Sequence, residues 1–134
     1  MSTDRMRSIV AAVPNGGGRM ALEWSDGTKA ELRVPAGSAA SIGDWGHSLV
    51  WPDGHEIGAD ALWLETLSAI GRDDARTFLE WRLANGLSLS ATGEALGLSR
   101  RTVAYYSNGD RPVPKAILLA CKGWDSLNPN RKAA

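Results

Sequence analysis

"ALGLSRRTVAYYSNGD", residues 95–110, gathers a tight-turn glycine, a capping serine, two arginines and two tyrosines into little more than two helical turns and their flanks. Just upstream, Gly93 is a small residue placed where two helices must approach closely. Gly97 follows four residues later at the turn, and Leu98 after it can enter a core. Val103 and Tyr106, five and eight positions beyond Leu98, then supply the inward side of the next helix. A small residue, a four-residue step to glycine, an apolar plug and apolar positions at that spacing define two helices joined by a fixed turn, a helix-turn-helix. Ser99 is positioned to cap the later helix through its hydroxyl.

The outer face of that helix carries the functional reading. Arg101, Ala104, Tyr105 and Asn108 follow an i, i+3, i+4, i+7 stripe opposite the buried side. Arginine can grip guanine through two acceptors, asparagine can pair with adenine, and alanine permits close approach, so the stripe suits the major groove of DNA. Arg100, nearer the flank, is open to base or phosphate. Tyr105 is open between a base or sugar contact and plain surface.

Working outward, Asp73 and Asp74 sit where acids favour a helix N-terminus, and Phe78, Leu79 and Leu83 make an apolar stripe stopped by Asn85-Gly86. Helices are expected from about Ser88 to Leu96, from Arg100 to Ser107, and after Pro114 through Cys121, with Gly123 as the exit. Before Gly71 the period is two. "RMALEWSDGTKAELRV", residues 19–34, puts Met20, Leu22 and Trp24 on one face, turns at Asp26-Gly27, and puts Ala30, Leu32 and Val34 on one face again. "SIVAAV" before "PNGGG" reads as a further strand, and "SLVWPDGHEI" as a second turn-bearing segment. A helix starting near Ala59 then packs Leu62, Trp63 and Leu67, or their neighbours, against the sheet.

The chain has 134 residues, 43% of them hydrophobic, which is enough for a packed core. Its formal net charge is zero, but the charge is not evenly spread. Residues 1–69 hold five Lys/Arg against nine Asp/Glu, and residues 70–134 hold ten against six, so the second half is the one suited to phosphate. No apolar run is long enough to span a membrane and no signal-cleavage site stands out, which leads to a cytoplasmic expectation. Cys121, the single cysteine, excludes an internal disulfide framework and reads as a small buried apolar residue.

Other chemistry finds little support. His47 and His55, with Asp44, Asp53 and Glu56, lack metal-ligand spacing, and these acids lie beside turn glycines where aspartate serves local backbone bonding. "PNGGGR" lacks the Gly-Lys-Ser/Thr ending of a phosphate loop. No catalytic residue, cofactor or metal is therefore expected, and the chain is not read as an enzyme. Trp24, Trp51 and Trp63 fall on apolar faces as core, and Trp81 and Trp124 bracket the helical half. Trp45, flanked by glycines in "GDWGH", is open between core and surface, and if exposed it would suit the anchoring of a partner protein.

From residue 74 to 124 the chain resembles the lambda-repressor-like helix-turn-helix family, the Cro and repressor type of bacteria and phages. The likeness lies in Gly86-Leu87-Ser88, in Ala95 to Ser99, in Arg100 to Val103, in the Ser107-Asn108-Gly109 exit and in Arg111 to Pro114. That resemblance implies base contacts from Ser99, Arg100, Arg101, Ala104, Tyr105 and Asn108, and phosphate contacts from Ser88, Ser90 and Arg111. Leu89 stands where the family usually has glutamine, and Thr92 where it usually has an apolar residue. Residues 7–68, above all "LVWPDGHEIGADALW", resemble a small bacterial domain of unknown function that carries a tryptophan-Pro-Asp-Gly segment.

The expectation is thus an α+β chain: a small antiparallel sheet plus helix over residues 1–70, then an all-α four- or five-helix lambda-repressor-like domain over 71–134. Its function is expected to be sequence-specific binding of double-stranded DNA as a transcription regulator and homodimer, with a possible protein partner through the first half. The alternative is an antitoxin-like or adaptor protein whose helix-turn-helix binds a protein.

Overall fold

The computed structural model describes residues 7–34 and 40–129. Asp4, Arg5, Arg131 and Lys132, counted above in the charge of the two halves, lie outside the described residues. The chain divides into two compact units, with the division at Gly71 and Arg72.

In the first unit, β1 (Ile9–Pro14), β2 (Arg19–Trp24) and β3 (Lys29–Arg33) form an antiparallel sheet in that order. Alternation sets its register. Met20 pairs with Leu32 and Leu22 with Ala30, so a slip by one residue would expose Met20, Leu22 and Trp24, all of them buried. Gly27, at φ +91°, closes the β2–β3 turn, and the β1–β2 register shifts between Ile9 and Ala11, leaving Val10 as a bulge.

A second antiparallel sheet, not anticipated as separate, consists of β4 (Ser41–Ile42), β5 (Ser48–Val50) and β6 (Glu56–Gly58) with β5 central. Two residues are too few for β4 to show a period, which is why it has no sequence signature. Helix α1 (Ala59–Ala69) buries Leu62, Trp63 and Leu67 as its spacing predicts. Trp24 donates its indole N–H to the Thr66 hydroxyl at 3.0 Å, and that hydroxyl donates to the Leu62 carbonyl at 2.8 Å. Trp24 and Trp63 meet edge to face at 5.2 Å, and the Arg7 guanidinium lies 4.0 Å from the Trp63 ring centroid while pairing with Asp26 at 2.6 Å. Burial alone would raise the Asp26 carboxyl. The hydrogen bonds from Arg7 and from the Thr28 amide and hydroxyl outweigh it and hold the group below the usual aspartate value.

The second unit contains α2 (Asp73–Ala84), α3 (Leu89–Leu96), α4 (Arg100–Asn108) and α5 (Lys115–Leu127). Phe78, Trp81, Leu87, Val103, Val113 and Cys121 form its core. Phe78 meets Tyr106 edge to face at 5.6 Å, and Trp81 meets Trp124 at 5.6 Å, so the two bracketing tryptophans join α2 to α5. Gly123 does not end α5. The Trp124 ring contact and a 2.9 Å hydrogen bond from the Trp81 indole to Asp125 lie beyond it, and they hold the last turn helical against the weak propensity of glycine. Thr92 is fully buried, its hydroxyl donating to the Ser88 carbonyl at 2.8 Å, so it fills an apolar position without an unpaired polar group.

Candidate nucleic-acid interface

The turn between α3 and α4 is fixed by backbone. A Cβ on Gly93 would lie 2.5 Å from the Leu98 carbonyl oxygen, closer than such atoms pack, so glycine is required for the chain to fold back there. Gly97 takes the left-handed conformation at φ +73°, and the Leu98 amide donates to the Gly93 carbonyl at 2.8 Å, a Schellman ending. Ser99 then caps α4. Its hydroxyl accepts from the Thr102 amide at 3.1 Å and donates to the Thr102 hydroxyl at 2.9 Å. Ser88 caps α3 in the same way, accepting from the Ala91 amide at 3.0 Å.

The inner side of α4 is anchored by Val103 and by Ser107, whose hydroxyl donates to the Val103 carbonyl at 2.8 Å and accepts from Arg82 Nη1 at 2.7 Å. Arg82 Nε also donates to the Leu87 carbonyl at 3.0 Å, so one α2 side chain holds both α4 and the start of the α3 segment. The outer side presents Arg101 and Tyr105, one turn apart, with Arg101 Nε donating to the Tyr105 hydroxyl at 2.9 Å. The Arg111 guanidinium, from the loop after α4, sits 4.2 Å from the centroid of the same ring, and that of Arg101 sits 5.7 Å from it. Two exposed cations from different segments therefore converge on one phenol.

The loop carrying Arg111 is itself held. Arg72 donates through Nη1 to the Gly109 carbonyl and through Nη2 to the Arg111 carbonyl at 3.1 Å, while pairing with Asp74 at 3.2 Å. Asp74 accepts from the Val113 amide at 2.7 Å. Burial pushes the Asp74 carboxyl upward, but the Val113 amide, Arg72 and the Ala75 amide more than compensate, and it titrates below the usual range.

The site residues expected from sequence thus separate. Arg101, Tyr105 and Arg111 come together, and Arg100 is exposed in the first turn of α4. Ser99 is exposed, with its hydroxyl engaged in the cap. Asn108, the last residue of α4, is half-buried, and the exposed Ser88 and Ser90 belong to the start of α3. Ala104 is a correction: at 2% exposure it faces inward and cannot meet a base edge. Helix α4 packs against both α2 and α3, so its buried arc is wider than Val103 and Tyr106 alone imply and takes in Ala104. Arg72 and Asp74 as loop holders have no sequence signal, since their partners lie 37 to 39 residues away.

The fold is similar to a solved one. A protein from Nitrosomonas europaea ATCC 19718 to which DNA binding is ascribed superimposes with a TM-score of 0.64 at 28% identity, over 98% of this chain and 95% of that one. No protein-family model matches the chain, and no curated protein matches it. Among the described residues no helix is long and apolar enough to cross a membrane.

Proposed function

We propose that this chain is a sequence-specific double-stranded-DNA-binding protein, a bacterial or phage-type transcription regulator of the lambda-repressor-like kind, whose α4 enters the major groove. The observation carrying this reading is the outward convergence of Arg101 and Tyr105, on a helix whose orientation is fixed by the Gly93–Leu98 approach, with Arg111 of the following loop. Arg101 reads a base, with Arg100 beside it, while Arg111 and the amide-rich starts of α3 and α4 engage phosphates. The likeness to the Nitrosomonas protein supports the same direction. The chain works in the cytoplasm, is not an enzyme, and binds as a homodimer to half-sites about 34 Å apart.

Binding to duplex DNA should weaken steeply between about 50 and 200 mM salt. Arg101→Ala should cost about 1–3 kcal/mol at one base position, whereas Arg111→Ala should weaken all sequences alike and reduce the salt slope by about 1. Unaltered binding by both variants refutes the assignment of this face.

A contribution of the first unit to protein contact has its own supporting observation. Trp45 is 87% exposed and adopts φ +60°, in a turn whose Gly46 lies so close to β1 that a Cβ would approach the Ile9 carbonyl to 2.6 Å. A large apolar ring held outward at the expense of backbone strain suits a partner surface. Sedimentation of Trp45→Ala against the wild type tests whether that partner is a second copy. A dimer that persists unchanged in the variant excludes Trp45 from the dimer contact.

A further inference from the structure

We infer that Tyr105 is the positioning residue that sets guanine specificity, acting through Arg101 by its hydroxyl and through Arg111 by its ring. The inference rests on the reading of α4 as a groove helix and assigns different work to two parts of one side chain.

An arginine guanidinium has five N–H donors and no acceptor. With Nε committed to the Tyr105 oxygen at 2.9 Å, Arg101 retains the four N–H bonds of its two terminal nitrogens. Two of these, one on each nitrogen, point along the end of the fork, away from the side-chain stem, and match the O6 and N7 acceptors of guanine. The phenol therefore selects the end-on approach over the side-on one that would use Nε. Arg101 and Tyr105 are one helical turn apart, so the bond fixes an otherwise flexible arm to the helix that carries it.

Arg111 uses the same residue differently. Its guanidinium carbon lies 4.2 Å from the ring centroid, over the ring, an arrangement that occupies the π face and leaves the N–H groups at the guanidinium edge for phosphate oxygens. Arg72 and Asp74 fix the loop backbone beneath it, so the ring needs only to hold the side chain. Tyr105 thereby divides two like charges into one base reader and one backbone anchor. The DNA site this fits carries a guanine opposite the first turn of α4 with a phosphate close to the end of that helix.

The substitutions separate the two roles. Tyr105→Phe removes the hydroxyl and keeps a ring for Arg111, while Tyr105→Ala removes both. The full chain is first used to select a binding duplex from a random-sequence library. Affinity is then measured on that duplex and on copies in which each guanine pair is replaced by an adenine pair. Wild type should prefer guanine at one position by about tenfold or more, and Arg101→Ala should erase that preference. Tyr105→Phe should reduce it about threefold or more with the salt slope unchanged. Tyr105→Ala should in addition flatten the slope as Arg111→Ala does. In an Arg101→Ala background, where no guanine preference is left, Tyr105→Phe should leave the overall affinity for the duplex unchanged, whereas a merely structural tyrosine would weaken binding there as much as in the wild type.

Tyr105→Phe that keeps the full guanine preference, or that has the same effect with and without Arg101, overturns the inference while leaving the groove reading intact. Arg101→Ala that keeps the preference overturns the groove reading and this inference together.

Discussion

Gly93→Ala tests the geometry on which the interface depends. In an open helix the change should stabilise by about 1 kcal/mol, because alanine has the higher helix propensity. Here the new Cβ would lie 2.5 Å from the Leu98 carbonyl oxygen, a backbone atom that cannot rotate away, and 3.6 Å from the Arg100 amide nitrogen. Relief requires α3 and the start of α4 to separate by about half an ångström, which strains a packed contact at about 1–3 kcal/mol. Separation also stretches the 2.8 Å bond from the Leu98 amide to the Gly93 carbonyl, a further loss of about 1 kcal/mol. The balance is a net destabilisation of about 1–3 kcal/mol, or roughly 5–15 °C in the melting of a unit this small. Gly97→Ala is the control: nothing lies within 4 Å of its Cβ, so only the strain of φ +73° remains, about 1 kcal/mol. Urea denaturation followed by helical circular dichroism measures both. A Gly93→Ala protein more stable than wild type would show that α3 and α4 do not approach as described.

Three further outcomes are expected. Asp74 has its carboxyl lowered in the folded protein, so its stabilising effect is complete above the unfolded value of about 4 and is lost as pH falls through the lower folded value. Urea midpoints of wild type and Asp74→Asn should therefore differ at neutral pH and converge in acid; a pH-independent gap would refute the linkage. Thr66→Val keeps the shape of the side chain but leaves the buried Trp24 indole N–H without its acceptor, a loss of about 1–3 kcal/mol readable by chemical denaturation, whereas no loss would mean the bond carries nothing. Cys121 is buried, and that burial, with Asp125 nearby, pushes its thiol up to about 11. A thiol reagent at mildly alkaline pH should react only after unfolding, and rapid labelling of the native protein would contradict the packing of α5.

The helix pair and its turn are legible in sequence because each constraint on them is local. Gly93, Gly97, Leu98, Ser99 and Val103 lie within eleven residues, and every one acts on a near neighbour. The β2–β3 hairpin is legible for the same reason, through alternation on both sides of Asp26-Gly27. What depends on distant partners is not. Ala104 reads as outward on a helical wheel and lies inward because α4 has two neighbours rather than one. Gly123 reads as a stop and is overridden by the contacts of Trp124 and Asp125 with α2. The site follows the same division: Arg101 and Tyr105 are visible as an i, i+4 pair, but the approach of Arg111 to their shared ring requires the loop that Arg72 and Asp74 hold.

Mapping backbone amide and arginine side-chain signals by nuclear magnetic resonance, as the selected duplex is added to the full chain, locates the surface that meets DNA. Perturbations are predicted at Arg100, Arg101, Tyr105, Asn108 and Arg111, with a weaker set at the amides that open α3 around Ser88 and Ser90. Signals that shift only within residues 7–71, with α4 and its following loop unmoved, would place the nucleic acid on another surface and contradict the account.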